Sequence, residues 1–288
     1  MRRSPLTSIA LCGALLAAGW TGVARAQGEV KPLRLSLGYE GRLIFKVLDI
    51  QVEEQASGAD FSADSELTSA GILAALKHIH QHASSRGRIV GGQPQPGVFD
   101  TQSLAGKTRR RIRTAWSGAE VAMTADPPFS DLGDPPASLA QKLAAADPLT
   151  VLIRMTLKGT RQTACDRAYL FFDGKQLYAL DFGPPGDAPQ SARDVRLGLV
   201  GGFRCDVRFR EVAGFHKKPP EKQNQGLQRP IHVDFATLGA GGPLMVTALH
   251  SETPIGSASI ELSRVRVNAS PAAETAKADG TTHGGAPR

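Results

Sequence analysis

Along much of this chain apolar and polar residues alternate with a period of two. In residues 33–39 (LRLSLGY), Leu33, Leu35, Leu37 and Tyr39 share one face while Arg34 and Ser36 take the other. Glu40-Gly41 supplies a turn into a second run, residues 43–52. There Phe45, Val47 and Asp49 alternate with Ile44, Leu48 and Ile50, which predicts a strand covered on both sides. A third run, residues 60–68, places Phe61, Ala63, Ser65 and Leu67 together, and the three predict an antiparallel meander. Residues 70–80 (AGILAALKHIH) break the period. Ile72, Leu73, Leu76 and Ile79 recur at helical spacing, with Ser69 expected as N-cap and Gly87 as the far boundary. Four aliphatics on one stripe require a cover, which predicts a lid over the concave face of the sheet. Whether such a lid fills the interior or leaves a cavity is open at this point.

Further strands are predicted over residues 88–90, 98–104, 107–116 and 119–124. Residues 126–136 (DPPFSDLGDPP) carry four prolines and predict irregular chain. Residues 138–146 read as a short helix. Residues 149–157 are apolar enough for a buried helix or strand, and Pro148 at a first turn favours the helix. Residues 168–172 and 176–182 flank Asp173-Gly174, a strong hairpin signal. Residues 195–200 and 203–212 flank Gly201-Gly202, read as a second tight turn, and 219–230 as a polar loop. Strands follow over 231–238, 244–250 and 259–267, the last with a phase shift after Ser263 that predicts a bulge. A dozen or so strands without βαβ alternation predict a mainly β fold with two or three short helices. A single long antiparallel curved sheet must curl to hide its apolar face, giving a half-barrel or spiral β-barrel with helices in or across the opening.

The ends of the 288-residue chain change the picture of where it works. Residues 1–26 read as a signal peptide: Arg2 and Arg3, then an apolar stretch from Ile9 to Trp20, then Ala24-Arg25-Ala26 before cleavage after Ala26. Residues 27–267 are the expected β domain. Residues 268–288, rich in Ala, Gly, Pro and Thr, are an expected disordered tail. The formal net charge of +7 falls to +4 once Arg2, Arg3 and Arg25 are removed with no acid. Such an excess suits a peripheral contact with anionic headgroups, and nucleic acid is not expected as a partner of an exported chain. No second apolar segment approaches the about 20 residues a spanning helix needs, so integral membrane insertion is not expected. The expected compartment is the periplasm. There Cys165 and Cys205, the two cysteines left after Cys12 is removed, are expected to pair as a disulfide.

Candidate chemistry is sparse. Lys107, Arg109, Arg111 and Arg113 fall on one face of a strand and form a candidate stripe for anionic surfaces. His78 and His82 would share a helix face at i, i+4, but no further ligand lies near in sequence, so no metal site is expected. Glu53 and Glu54 point to opposite faces of a strand and form no acid–base pair. Neither a nucleophile elbow, a zinc-protease motif nor a phosphate loop is present, so no catalytic residue and no cofactor is expected.

Several segments together are similar to a bacterial exported family, domain of unknown function 3108. They are LSLGYEGRLIFKVLDIQVE, DPLTVLIRM, a cysteine followed by FDGK, FRCDVRFREVAGF, and PLMVTALHSETPIGSASIELSRVRV. The resemblance covers nearly all of residues 27–267 and implies framework roles for Cys165, Asp173, Gly174, Cys205 and Gly214. More distantly the chain resembles curved-sheet lipoprotein carriers and envelope-stress sensors, which hold acyl chains under a helix-plugged half-barrel. The expectation is a non-catalytic periplasmic envelope protein that binds an apolar ligand, a lipid or an envelope protein in support of envelope integrity. The alternatives are a hydrolase acting on an envelope polymer and a ligand-free structural adaptor.

Overall fold

The structure, a computed structural model, describes residues 30–105, 108–216, 231–253 and 256–267. The signal segment, the 219–230 loop, the 268–288 tail and Lys107 lie outside the described residues. The chain runs β1 (Val30–Arg42), β2 (Lys46–Gly58), β3 (Asp60–Ser69), α1 (Gly71–Leu76), β4 (Ile79–Val90), β5 (Gln93–Ala105), β6 (Thr108–Ser117) and β7 (Glu120–Asp126). It continues through α2 (Leu139–Ala144), α3 (Pro148–Lys158), α4 (Arg161–Ala164), β8 (Arg167–Phe172), β9 (Leu177–Asp187) and α5 (Ala192–Arg196). Four strands complete the fold: β10 (Leu199–Ala213), β11 (Ile231–Leu238), β12 (Leu244–Thr253) and β13 (Gly256–Val267).

Among the described residues thirteen strands form one antiparallel sheet in the order β7-β6-β5-β4-β3-β2-β1-β13-β12-β11-β10-β9-β8. The sheet curls without closing, because β7 and β8 are its two edges. The connector from β7 to β8 covers the gap. Its Ala146 pairs with Phe171 of β8, Trp116 Nε1 of β6 donates to the Lys142 carbonyl (3.2 Å), and Gly214 N donates to the Pro135 carbonyl (2.8 Å). This blunts one exposed edge, the usual hazard of an open sheet.

The interior is filled by α3. Asp147 caps it, accepting from Thr150 N at 2.8 Å, and Pro148 at the first position costs no hydrogen bond there. Its buried Ile153 packs with Ala56, Phe61 and Ile89, and Leu149 with Ala63, Ala83 and Phe99. Val151 and Met155 join Phe171, Phe182, Phe203, Phe235 and Leu244 from the other half of the sheet. One helix therefore ties both halves of the curl. The disulfide Cys165–Cys205 lies in this last cluster, with both cysteines buried and Cα atoms 5.7 Å apart.

Several expectations are corrected. The short helices number five among the described residues rather than two or three. Glu40 and Gly41 are paired with Asp49 and Leu48 inside β1, so the turn into β2 falls at residues 43–45. The helix over 70–80 shrinks to α1, because Ile79 onward pairs along β3 and β5, and a ladder on both sides outweighs a helical apolar pattern of one extra turn. Ala70, not Ser69, is the N-cap, and the Ser69 hydroxyl accepts from Ile79 N at 3.0 Å. Gly87 lies within β4, where a Cβ would overlap the Gln95 carbonyl and the Phe61 ring, so glycine permits a close crossing rather than a stop. Gly201-Gly202 is not a hairpin turn. Residues 195–196 close α5, and β10 runs straight through both glycines with an irregularity in its pairing to β11 between Val200 and Phe203. Gly201 adopts φ +67°, which takes up the extra residues. The bulge at Ser263 is present: Gly38 faces Arg264 and Tyr39 faces Leu262, and the Ser263 hydroxyl donates to the Gly38 carbonyl at 3.0 Å.

Candidate functional site

At one end of the strands, beside the β1–β2 turn, the concave face opens into an apolar cleft of about 420 Å³. Its floor is the inner face of β1, β2 and β11 to β13, with Leu48, Ile231, Leu249 and Ile260. Leu43 from the turn and Leu73 from α1 form its lip. The turn and the helix are held together by the backbone, with Ala70 N donating to the Val47 carbonyl at 2.8 Å. Around this lip stand Ile44 (79 % exposed), Phe45 (66 %), Ile72 (62 %) and Leu76 (80 %). Large aliphatic and aromatic side chains concentrated at one rim are uncommon on a protein that meets only water.

This placement corrects the lid. Leu73 alone of the stripe lines the cleft, Ile72 and Leu76 point to solvent, and Ile79 is half-buried in β4. The helix borders the mouth rather than sealing the interior, since α3, nearly twice as long, already occupies that space. The rim carries cations beside its apolar groups. Arg42 pairs with Glu40 (2.8 Å) and Lys46 with Asp49 (2.6 Å), while Lys77 follows α1.

The described part of the basic stripe starts near the same end, as Arg109 faces Leu104, itself paired with His80. Arg109, Arg111 and Arg113 are exposed on one face of β6. Asp100 of β5 takes a two-point bond from Arg111 (3.0 and 2.8 Å) and a contact from Arg113 (3.3 Å). These bonds hold the Asp100 carboxyl below the usual carboxylate range. Arg110 takes the other face, 4.6 Å over the Phe129 ring. The histidines do not share a helix face: His80 and His82 are in β4, His80 bonding Glu66 at 3.0 Å. No metal-holding cluster occurs among the described residues.

Asp173, Gly174 and Gly214 sit together in structural work. Asp173 Oδ1 accepts from Lys175 N (2.9 Å) and Gln176 N (2.7 Å), closing the β8–β9 turn. Gly174 (φ +101°) lies against Ile112, and Gly214 (φ +83°) against the Lys175 carbonyl, so neither position has room for a Cβ.

The burial of three acids, Asp147, Glu54 and Asp194, escaped the sequence reading. Asp147 accepts from Ser85 Oγ (3.0 Å) and from Thr150 Oγ1 (2.6 Å) as well as capping α3; burial pushes its carboxyl up while these donors pull it down. Glu54 in β2 is fully buried, and its oxygens have no hydrogen-bond donor in place among the described residues. Burial pushes its carboxyl up to about 7, opposed by the nearby Thr156 hydroxyl, which itself donates to the Leu152 carbonyl at 3.2 Å. Tyr39, whose hydroxyl donates to the Val246 carbonyl at 3.2 Å, is also raised by burial and by Glu54. The signal for Glu54 was the period itself: Val52, Glu54 and Ala56 fall on one face of β2, and that face is the core.

A polar cleft bordered by α5 gathers Arg193, Arg204, Asp234, His250 and Glu261. Arg204 binds Asp234 through two nitrogens, His250 approaches the same carboxylate at 3.6 Å, and Arg193 pairs with Glu261. Each carboxylate here is already engaged by a guanidinium. These pairs pin α5 and β10 to β11 and β13.

Among the described residues no helix is long and apolar enough to cross a membrane, which says nothing of strands. The disulfide is consistent with an oxidising compartment. No protein-family model and no curated protein matches the chain. Among solved structures the chain is similar to a β-barrel-like protein of domain of unknown function DUF1849 from Brucella abortus, with 8% identity and a TM-score of 0.47, the match covering 83% of this chain and 100% of that one.

Proposed function

We propose that this protein is a non-catalytic envelope protein of the periplasm, of the kind gathered as domain of unknown function 3108. In this reading it holds an apolar group, such as a lipid acyl chain, in the cleft at the mouth of its half-barrel. The observation that carries the reading is the cleft between Leu73, Leu249 and Ile260, with Ile44, Phe45, Ile72 and Leu76 exposed at its lip. A cleft of about 420 Å³ lies within the size range of small-molecule sites, and an apolar wall selects for shape rather than for polar groups. The exposed lip offers a route by which a chain passes from a bilayer into the cleft without crossing water.

Fluorescence of cis-parinaric acid tests the proposal. The wild-type protein is expected to bind the probe saturably, and Ala258→Trp, which fills the cleft from β13, to weaken binding by at least about tenfold. Absence of saturable binding, or equal binding by the variant at unchanged circular dichroism, overturns the reading. Native mass spectrometry of protein taken from its own periplasm adds the identity of any retained lipid.

The basic stripe extends this reading to a peripheral membrane contact. Arg109→Glu is expected to keep stability within about 1 kcal/mol of wild type, as at exposed positions generally, and adding Arg111→Glu lowers it further through loss of its pair with Asp100. The double variant should weaken sedimentation with phosphatidylglycerol vesicles. Wild-type protein that ignores such vesicles, or a variant that binds them equally, makes the stripe a solvated strand face.

A further inference from the structure

A second cleft, of about 460 Å³, lies where the open sheet leaves a gap. The start of β5 forms one wall, the edge strand β8 the other, and the C-terminal half of α3 the floor. It opens near the β4–β5 turn, at the end of the strands opposite the apolar mouth. Arg154 and Lys158, one turn apart on α3, and Arg167 of β8 converge on it, and no Asp or Glu lines it among the described residues.

Each cation is held in place without a carboxylate among the described residues. Arg154 Nε donates to the Pro94 carbonyl at 2.6 Å, which fixes the plane of the guanidinium and leaves its terminal nitrogens for another partner. The Lys158 ammonium lies against Gly92 in the β4–β5 turn. Arg167 donates to the Thr163 carbonyl at 3.2 Å and lies 5.5 Å over the Tyr169 ring, whose hydroxyl donates to the same carbonyl at 2.9 Å. Burial depresses Arg154, and the acid that opposes this, Asp147 two turns earlier on the helix, is occupied by Ser85 and Thr150.

Three like charges gathered in one concavity repel, and a half-buried guanidinium without a counter-ion is costly. An oxyanion relieves both costs, and the guanidinium fork suits the paired oxygens of phosphate or carboxylate. Polar Gln93, Gln95 and Thr163 and apolar Val151, Met155 and Leu170 line the cleft beside the cations, and its volume exceeds what a bare ion needs. We propose that this cleft binds an organic oxyanion, a small phosphate ester or carboxylate, whose charged end is received by Arg154, Lys158 and Arg167.

Glycerol 3-phosphate titrated calorimetrically into the full chain, beside sedimentation with phosphatidylcholine vesicles containing phosphatidic acid, tests this and separates a soluble ester from a lipid headgroup. Wild type is expected to bind at least one of the two saturably. Lys158→Gln with Arg167→Gln, both on exposed side chains, should weaken that binding about tenfold or more, while Lys158→Arg retains it. Binding of glycerol 3-phosphate identifies a soluble ester; binding of vesicles alone, lost in the Gln pair but kept in Ile44→Ser with Phe45→Ser, identifies a headgroup. No saturable binding of either probe, or equal binding by the folded Gln pair, overturns the proposal. Either outcome leaves the apolar mouth to its own test.

Discussion

Replacing Glu54 by Gln is expected to change stability in a pH-dependent way, with the advantage of the variant over wild type growing by about 3 kcal/mol between pH 4 and pH 8. Glu54 is fully buried on the core face of β2 with no donor to its oxygens among the described residues, and burial holds its carboxyl at about 7 against an ordinary 4.5. Below pH 4.5 both folded and unfolded chains hold the proton, and the group contributes nothing. Between 4.5 and 7 the unfolded chain has released it while the folded chain keeps it, so stability falls as pH rises. Above 7 both are ionised and the full cost of the buried charge remains. Asp147 titrates in the same direction but is common to both proteins, so the difference between them isolates Glu54. Urea denaturation of both at pH 4, 6 and 8 measures it. A difference independent of pH would mean that the Glu54 carboxyl is solvated.

Breaking the Cys165–Cys205 bond is expected to lower stability by about 4 kcal/mol, since it closes a loop with a sequence separation of 40. The two ends matter as much as the loop. Cys165 leads from α4 into the edge strand β8, and Cys205 lies in β10, two strands inward. The bond therefore anchors the edge that must stay in place beside α3. Denaturation of the same protein with and without reductant measures the loss, and thiol labelling of unfolded, unreduced protein should find no free Cys165 or Cys205. Two free thiols, or equal midpoints in both conditions, would show that the bond is not formed.

Much of the fold was legible because a strand with one buried face repeats every second residue. Leu35, Leu37 and Tyr39 marked β1, Asp173-Gly174 marked the β8–β9 turn, and Pro148 marked the start of α3. What misled was local pattern that long-range pairing overrides. Residues 77–80 continue a helical stripe on paper, yet residues 79–80 are in β4, between β3 and β5, neither of which the local spacing reveals. Gly201-Gly202 has the residues of a turn, but β11 pairs with Val200 before it and Phe203 after it and so carries the stretch through as one strand. The clefts were least legible. The apolar mouth brings residues 43, 73, 249 and 260 together, and the cationic gap joins 154 and 158 to 167 and to the start of β5. Only the curl of the sheet makes those neighbours.

The strand order also dictates how this chain assembles as it is made. Every pairing but one joins strands that follow each other in sequence, the exception being β1 with β13. Local hairpins can thus accrete as soon as their residues exist, which favours early organisation. The strand that appears first, however, ends in the middle of the sheet, and its second neighbour is the last to be synthesised. Until then the backbone of β1 from Leu35 to Arg42 offers a bare row of donors and acceptors beside Leu35 and Leu37, two of the most deeply buried side chains of the finished protein. The nascent chain therefore carries an adhesive edge from the completion of β1 until β13 is made, and any helper protein that accompanies it has its most urgent task at β1 rather than at β13.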